Sequence, residues 1–387
     1  MPKEQRLKGI IAENEETIWD LALRLHRRPE VGYAEFFAAR TLAGFLRDRG
    51  FRVDLGIAGM PTAYRAEWGT SGPRVALMAE MDAMPGTGHS CGHNLMAAAA
   101  VGAAAGLAGL GKELPGRIVV LGAPAEEVGY RSGGKALLVR EGYLHGIAAA
   151  MQIHPAESTY LRREYWPAWT YIEFTFRRGQ TEVLSWDPGS RHPYEVLVED
   201  LAADLGAIDL SVAAPPRGDA WTVGDRTELW MRFRLKGERA SDLPGLEADA
   251  LRRAGEYASE LGLDVSARLG TNRYHDMIDS QSIGQVFKDH CESLGEPILD
   301  VAHPESQSLG DMGNVSQVVP SIHPFIGIGG NPRLHTEEYA EAVTTSGARR
   351  ALRIGSSAMA LTSLDLMENT ALRDAAWREF LSEDREA

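Results

Sequence analysis

Apolar residues recur at three- and four-residue steps through the first fifty positions: Ile18, Leu21 and Leu25, then Ala39, Leu42, Phe45 and Leu46. This spacing predicts two amphipathic helices before Gly50. At Arg74 the pattern changes to RVALMAEM, a short apolar run that predicts a buried strand, and the strand opens into the turn-rich segment DAMPGTGHSCGHN. The small-residue run LMAAAAVGAAAGLAGL after Asn94 predicts a tightly packed helix. RIVVLGAPAEE and IAAAMQIHP repeat the device of an apolar strand that ends in ionisable residues. Three such strands predict a central α/β sheet whose strand ends line one cleft, where ligands bind in open sheets of this kind.

After about Pro167 the texture changes. The alternating run WTYIEFTFR, the loop SWDPGSRHP, a helical stretch, the run TELWMRFRL and a further helix through Leu261 predict a small α+β domain. The predicted organisation is a larger domain formed by residues 1–166 and 277–387, which carries the three strand ends, interrupted by an inserted domain over 167–276. WTYIEFTFR is expected to supply a sheet edge or face for subunit pairing.

A chain of 387 residues exceeds what one core usually organises, in keeping with two domains. Its formal charge of −14 repels phosphate backbones and anionic lipid, and no basic run offsets it, so neither nucleic acid nor a membrane is an expected partner. The first residues carry acidic groups throughout and lack the apolar core of a signal peptide, and no apolar stretch approaches a membrane span. Only Cys91 and Cys291 are present, too few for a disulfide framework. The expectation is a cytoplasmic protein.

The chemistry concentrates at the strand ends. In HSCGHN one glycine separates Cys91 from His93, which lets a thiolate and an imidazole converge on a single ion. In PAEEVG the adjacent Glu126 and Glu127 follow a buried strand, so one carboxylate can ligate metal while the other faces a water. Alone, each motif is more often a surface pair or a core residue than part of a metal site. Together with His154 in MQIHP and His335 in RLHTEE, they supply ligands for one or two divalent ions of borderline softness. Asp82, just after the first strand, suits a bridging ligand or a carboxylate that fixes a histidine tautomer; Glu80 points the same way and ranks below it.

The ordered set HRRPEVGYAE, AEMDAMPGTGHSCGHN, GAPAEEVGYRSGGKALL, MQIHP, LGDMGNVSQVVPSIHP and LHTEEY resembles the aminoacylase/carboxypeptidase family of metallopeptidases, the M20 peptidases. The nearest likeness is to the amidohydrolase branch that includes p-aminobenzoyl-glutamate hydrolase and β-alanyl-lysine-type dipeptidases. The resemblance implies a zinc-exopeptidase-like catalytic domain with an inserted ferredoxin-like domain through which subunits form a homodimer or higher oligomer. It also implies Cys91, His93, Glu127, His154 and His335 as metal ligands, Glu126 as general base and acid, and Asp82 as the orienting carboxylate. The expected cofactor is zinc or manganese, one or two ions per subunit.

The inserted domain departs from the family pattern. Relatives carry a histidine on its first strand that helps stabilise the oxyanion in a neighbouring subunit, whereas RRGQTEVLSWDPGSRHP has none beside Gly179. His192 is one candidate replacement. The asparagine of a second family motif is also missing, although Arg232 or Arg234 matches its substrate-binding arginine. The leading expectation is therefore hydrolysis of the amide bond in a small N-acyl amino acid, dipeptide or aryl amide. Two alternatives are hydrolytic deamination of an aromatic amine at the same centre and a catalytically silent metal-binding scaffold.

Overall fold

A computed structural model describes residues 2–127, 132–163, 165–178, 200–205, 210–213, 228–301 and 310–382. His192 and the loop around Gly179 lie outside the described residues. The chain divides into two compact units, one formed by Met1–Trp166 with Met277–Ala387 and the other by Pro167–Asp276.

The larger unit is organised by a six-stranded sheet. Strands β1 (Arg52–Leu55) and β2 (Tyr64–Trp68) are antiparallel to each other, and β2 is antiparallel to β4 (Arg117–Ala123). Four strands, β4, β3 (Arg74–Glu80), β5 (Ala149–Met151) and β13 (Ser321–Ile322), run parallel, which gives the order β1-β2-β4-β3-β5-β13. The carboxyl ends of the parallel strands therefore deliver the residues that follow them to one edge of the sheet. Strand β3 is apolar on both faces because both are covered: Val75, Leu77 and Ala79 enter one core, while Ala76 and Met78 enter the other. Glu80 ends the run.

Against the first face lies α4 (His93–Ala108), which is buried around almost its whole circumference. Its small residues are what permit this. A Cβ at Gly102 would come within 2.8 Å of Ile18, and one at Gly106 within 2.6 Å of Ile11. The helix begins at His93, two residues before the small-residue run starts at Leu95. Three helices rather than two precede Gly50: α1 (Lys3–Glu13), α2 (Glu15–His26) and α3 (Phe36–Arg47). The first escapes a reading by periodicity because only Leu7 and Ile11 of its eleven residues are buried, which leaves a sparse apolar stripe. None of the helices among the described residues is long and apolar enough to cross a membrane.

A second sheet contains β6 (His154–Ala156), β7 (Tyr160–Arg162), β12 (Leu299–Val301) and β14 (Phe325–Gly327), in the order β12-β7-β14-β6. Its parallel pairing of Phe325 with His154 joins the end of the β5 segment to the chain that follows β13.

The smaller unit is built on an antiparallel sheet. Strand β8 (Ala168–Arg178) pairs along its length with β10 (Glu228–Gly237) and with β11 (Leu263–Leu269), and β9 (Leu210–Ala213) adds to β10, in the order β11-β8-β10-β9. Ile172, Phe174 and Phe176 meet Met231 and Phe233 and, from the helix Leu243–Glu260, Ala250 and Ala254 in a separate core. The segment WTYIEFTFR thus forms an interior strand, so of the edge or face expected of it the edge is excluded, and among the described residues the outer positions are taken by β11 and β9.

Candidate metal centre

Cys91 is placed by a backbone requirement. Gly92, between it and His93, has φ +87°, and a Cβ there would lie 2.3 Å from Cγ of Pro155, so only glycine lets the loop pack on β6. That contact brings Sγ of Cys91 to 3.3 Å from Nε2 of His154, a residue 63 positions away. The other ring nitrogen of His154 lies 2.6 Å from the carbonyl oxygen of Pro155, which leaves Nε2 facing the cleft.

His93 opens α4 and is oriented by Asp82. Its Nδ1 is 3.0 Å from the Asp82 carbonyl oxygen and 3.2 Å from Oδ1, so Nε2 is the nitrogen available to a ligand. The remaining Asp82 oxygen, Oδ2, accepts the backbone N–H of Glu127 at 2.8 Å. One carboxylate therefore positions two prospective ligands. Oε1 of Glu127 lies 3.8 Å from His93 Nε2 and 3.4 Å from His335 Nε2.

His335 reaches the cluster from a loop. It is 44% exposed, it adopts φ +64°, and its N–H donates to the carbonyl of Ser90 at 2.9 Å, which ties that loop to the cysteine turn. Glu126 sits beside Gly310, where an added Cβ would be 3.3 Å from both the Glu126 carboxylate and the Trp166 ring. Glycine at this position leaves room next to the carboxylate.

Among the described residues three overlapping ligand groups result: Cys91, His93 and His154; Cys91, Glu127 and His335; and His93, Glu126 and Glu127, each with donor atoms within 4.8 Å of one another. A thiol, imidazoles and carboxylates suit a divalent ion of borderline softness. The fit is supported by Oε1 of Glu127, which is buried and has no hydrogen-bond partner, an expensive arrangement for a carboxylate unless a cation satisfies it.

The electrostatics of the cluster follow from its burial. Desolvation, reinforced by the charge of Glu127, pushes the Cys91 thiol and the Glu126 carboxyl well above their ordinary values. Glu127 moves down, because His335 and His93 outweigh its own burial. Burial and the neighbouring His93 lower His154 to about 4, so it is a neutral imidazole with a lone pair to donate.

The cleft also contains residues that the motifs mark weakly or not at all. His323, at the end of β13, lies with its ring 5.9 Å from that of His154 and 5.0 Å from Trp166. The tripeptide Ile322-His323-Pro324 repeats Ile153-His154-Pro155, a signal that could have found it. Glu80 is closer to the centre than its lower rank suggests, with Oε2 3.3 Å from His93 Nε2. Arg232 and Arg234 belong to the smaller unit. Arg232 is ion-paired with Glu173 at 2.5 Å, and Arg234 donates to the Tyr171 hydroxyl at 2.9 Å, so both are engaged within their own sheet.

Parallel strands that deliver a thiol, imidazoles and paired carboxylates to one cleft define a metal-dependent amidohydrolase. Residues 76–356 match the model of peptidase family M20/M25/M40, and the chain belongs to that family. It is similar to the Xaa-Arg dipeptidase of Mus musculus, with 29% identity over 97% of this chain and 92% of that protein. It is also similar to a p-aminobenzoyl-glutamate hydrolase chain of Escherichia coli, with 33% identity over 35% of this chain and 32% of that one. The fold matches the crystal structure of a dinuclear metal-binding M20 peptidase from Bacillus subtilis with a TM-score of 0.68 and 17% identity, covering 92% of this chain and 99% of that one.

Proposed function

We propose that this protein hydrolyses the amide bond of a small dipeptide or N-acyl amino acid, with Cys91, His93, Glu127, His154 and His335 holding one or two zinc or manganese ions and Glu126 moving the proton. The observation that carries this reading is the division between the adjacent glutamates. The backbone N–H of Glu127 donates to Asp82 and its Oε1 lies 3.8 and 3.4 Å from the Nε2 atoms of His93 and His335 without hydrogen-bonding to either, while Glu126 sits beside the space opened by Gly310. A divalent ion bound in the cluster supplies Lewis acidity to the scissile carbonyl and acidifies the attacking water.

The chain's own groups supply the rest. Glu126 takes a proton from the attacking water and returns it to the leaving nitrogen, a role suited to a carboxyl whose proton affinity is raised by burial and by Glu127. Asp82 keeps His93 in the tautomer that presents Nε2. Arg232 and Arg234 are proposed anchors for a substrate carboxylate, and the smaller unit is the proposed site of subunit pairing. The Xaa-Arg dipeptidase relative makes dipeptides with a basic carboxyl-terminal residue the first substrates to try.

The test pairs elemental analysis with product assays on a panel of dipeptides, N-acyl amino acids and aminobenzoates. Cys91→Ala, His154→Ala and His335→Ala should each lose metal together with activity. Full metal occupancy in all three would reject the ligand set, and release of ammonia from the aminobenzoates alone would replace amide hydrolysis with deamination.

A further inference from the structure

Lys135 is a lysine with no exposure to solvent, and the chemistry proposed for the cleft does not use it. It lies in α5 (Gly134–Arg140), and its Nζ forms ion pairs with two buried carboxylates, those of Glu80 and Asp311. Its backbone N–H donates to the second oxygen of Asp311 at 2.8 Å, so Lys135 is fixed at both ends by one aspartate. The end of β3, the start of α5 and the turn before the helix Met312–Ser316 meet at this ammonium. Buried ionic triads are a poor source of stability, since apolar residues of the same volume commonly serve as well or better. Stability alone therefore does not account for one here.

The direction of Glu80 supplies an account. Lys135 takes one oxygen of its carboxylate, and the other, Oε2, lies 3.3 Å from Nε2 of His93. That is the nitrogen left free once Asp82 engages Nδ1, and Glu127 Oε1 approaches it from 3.8 Å. Glu80 thus faces the ligating atom of His93. We propose that Lys135 is a positioning residue of the metal centre: bridged between Asp311 and Glu80, it holds Glu80 opposite His93 as a further carboxylate facing the bound cation. The triad carries one excess negative charge, which favours a cation beside it. This inference rests on the reading of the cluster as a metal centre.

The experiment titrates the whole, metal-free chain calorimetrically with Mn²⁺ or Zn²⁺ alone and measures kcat and KM on an accepted dipeptide. Two variants are compared with the parent. Glu80→Gln keeps the shape and removes the charge, whereas Lys135→Met/Asp311→Asn removes one positive and one negative charge and leaves Glu80 untethered. Both should weaken metal affinity by about ten- to a hundred-fold and lower kcat with KM little changed, as loss of a residue that supports a metal site does. If the double variant does not fold, Glu80→Gln decides alone. Affinity and kcat within twofold of the parent in folded Glu80→Gln would overturn the proposal. A lower melting temperature with unchanged affinity would also overturn it, by making the triad structural. A parent protein that binds no divalent cation would reject the metal-centre reading and this inference with it, a result obtained before any variant is made.

Discussion

The side chain of Asp82 accepts the backbone N–H of Glu127 at 2.8 Å, across 45 residues of sequence. Because the same carboxylate also meets Nδ1 of His93, the loop after β3 and the loop after β4 are locked together at the point where the prospective ligands converge. Asp82→Ala should release both. Metal affinity is expected to fall by about ten- to a hundred-fold, with activity partly restored by added metal. Calorimetric titration and metal-dependent rates check this, and unchanged affinity would show that the two loops are held by other contacts.

Gly92→Ala tests the cysteine turn. The substitution places a Cβ 2.3 Å from Pro155 at φ +87°, which combines left-handed strain with overpacking, each costing about 1–2 kcal/mol. The variant should melt several degrees lower and bind less metal. A stable, fully metallated Gly92→Ala protein would mean that the loop moves away from β6 without cost to the site.

Glu35 gives a pH-dependent stability. Its side chain is fully buried, accepting from the Thr62 hydroxyl at 2.7 Å and the Ala125 N–H at 2.9 Å, and burial together with the Asp82 charge pushes its pKa up to about 7. A raised carboxyl pKa means that the folded state binds the proton more tightly than the unfolded chain. The stabilisation is complete below the unfolded value of about 4.5 and is lost as pH rises towards 7. Glu35→Gln should therefore gain on the parent protein by roughly 3 kcal/mol between pH 4.5 and 7.5 in denaturant unfolding. A difference between the two proteins that does not vary with pH would refute the shift.

Assembly is expected to use β11 rather than β8. Strand β8 is paired on both sides, whereas among the described residues β11 is an edge with most of its side chains exposed, Leu269 at 42%. Light scattering at micromolar concentration should give a dimer or larger species, and Ser266→Pro, in the middle of β11, should yield monomers. A monomeric parent protein would remove subunit pairing from the account.

Local patterns in the sequence carry the parts of the fold that local physics decides. RVALMAEM reads as a buried strand because both its faces are covered, and the alanine-rich run reads as a packed helix because no larger residue fits beside Ile11 and Ile18. Pairing across the chain is different. The alternation in WTYIEFTFR suggests a sheet edge or face, but partners from residues 228–237 and 263–269 flank the strand on both sides and leave it no edge. The cleft divides in the same way. Cys91, His93, Glu126 and Glu127 announce themselves as compact motifs at strand ends. Lys135 and Asp311 are 176 residues apart, and nothing in either segment indicates that they share a buried ion pair.

The central claim is that Glu126 and Glu127, adjacent in the chain, do different work, and the most direct measurement is metal content alongside kcat in Glu126→Gln and Glu127→Gln. Glu126→Gln is expected to keep its metal, because the amide is nearly isosteric and ligation is assigned to the neighbouring residue, while kcat falls by about a hundred- to ten-thousand-fold. Glu127→Gln is expected to bind metal weakly and to recover part of its rate when metal is added. The account is contradicted if Glu127→Gln is fully metallated and inert while Glu126→Gln is rescued by metal, or if both variants lose only a small, equal fraction of activity.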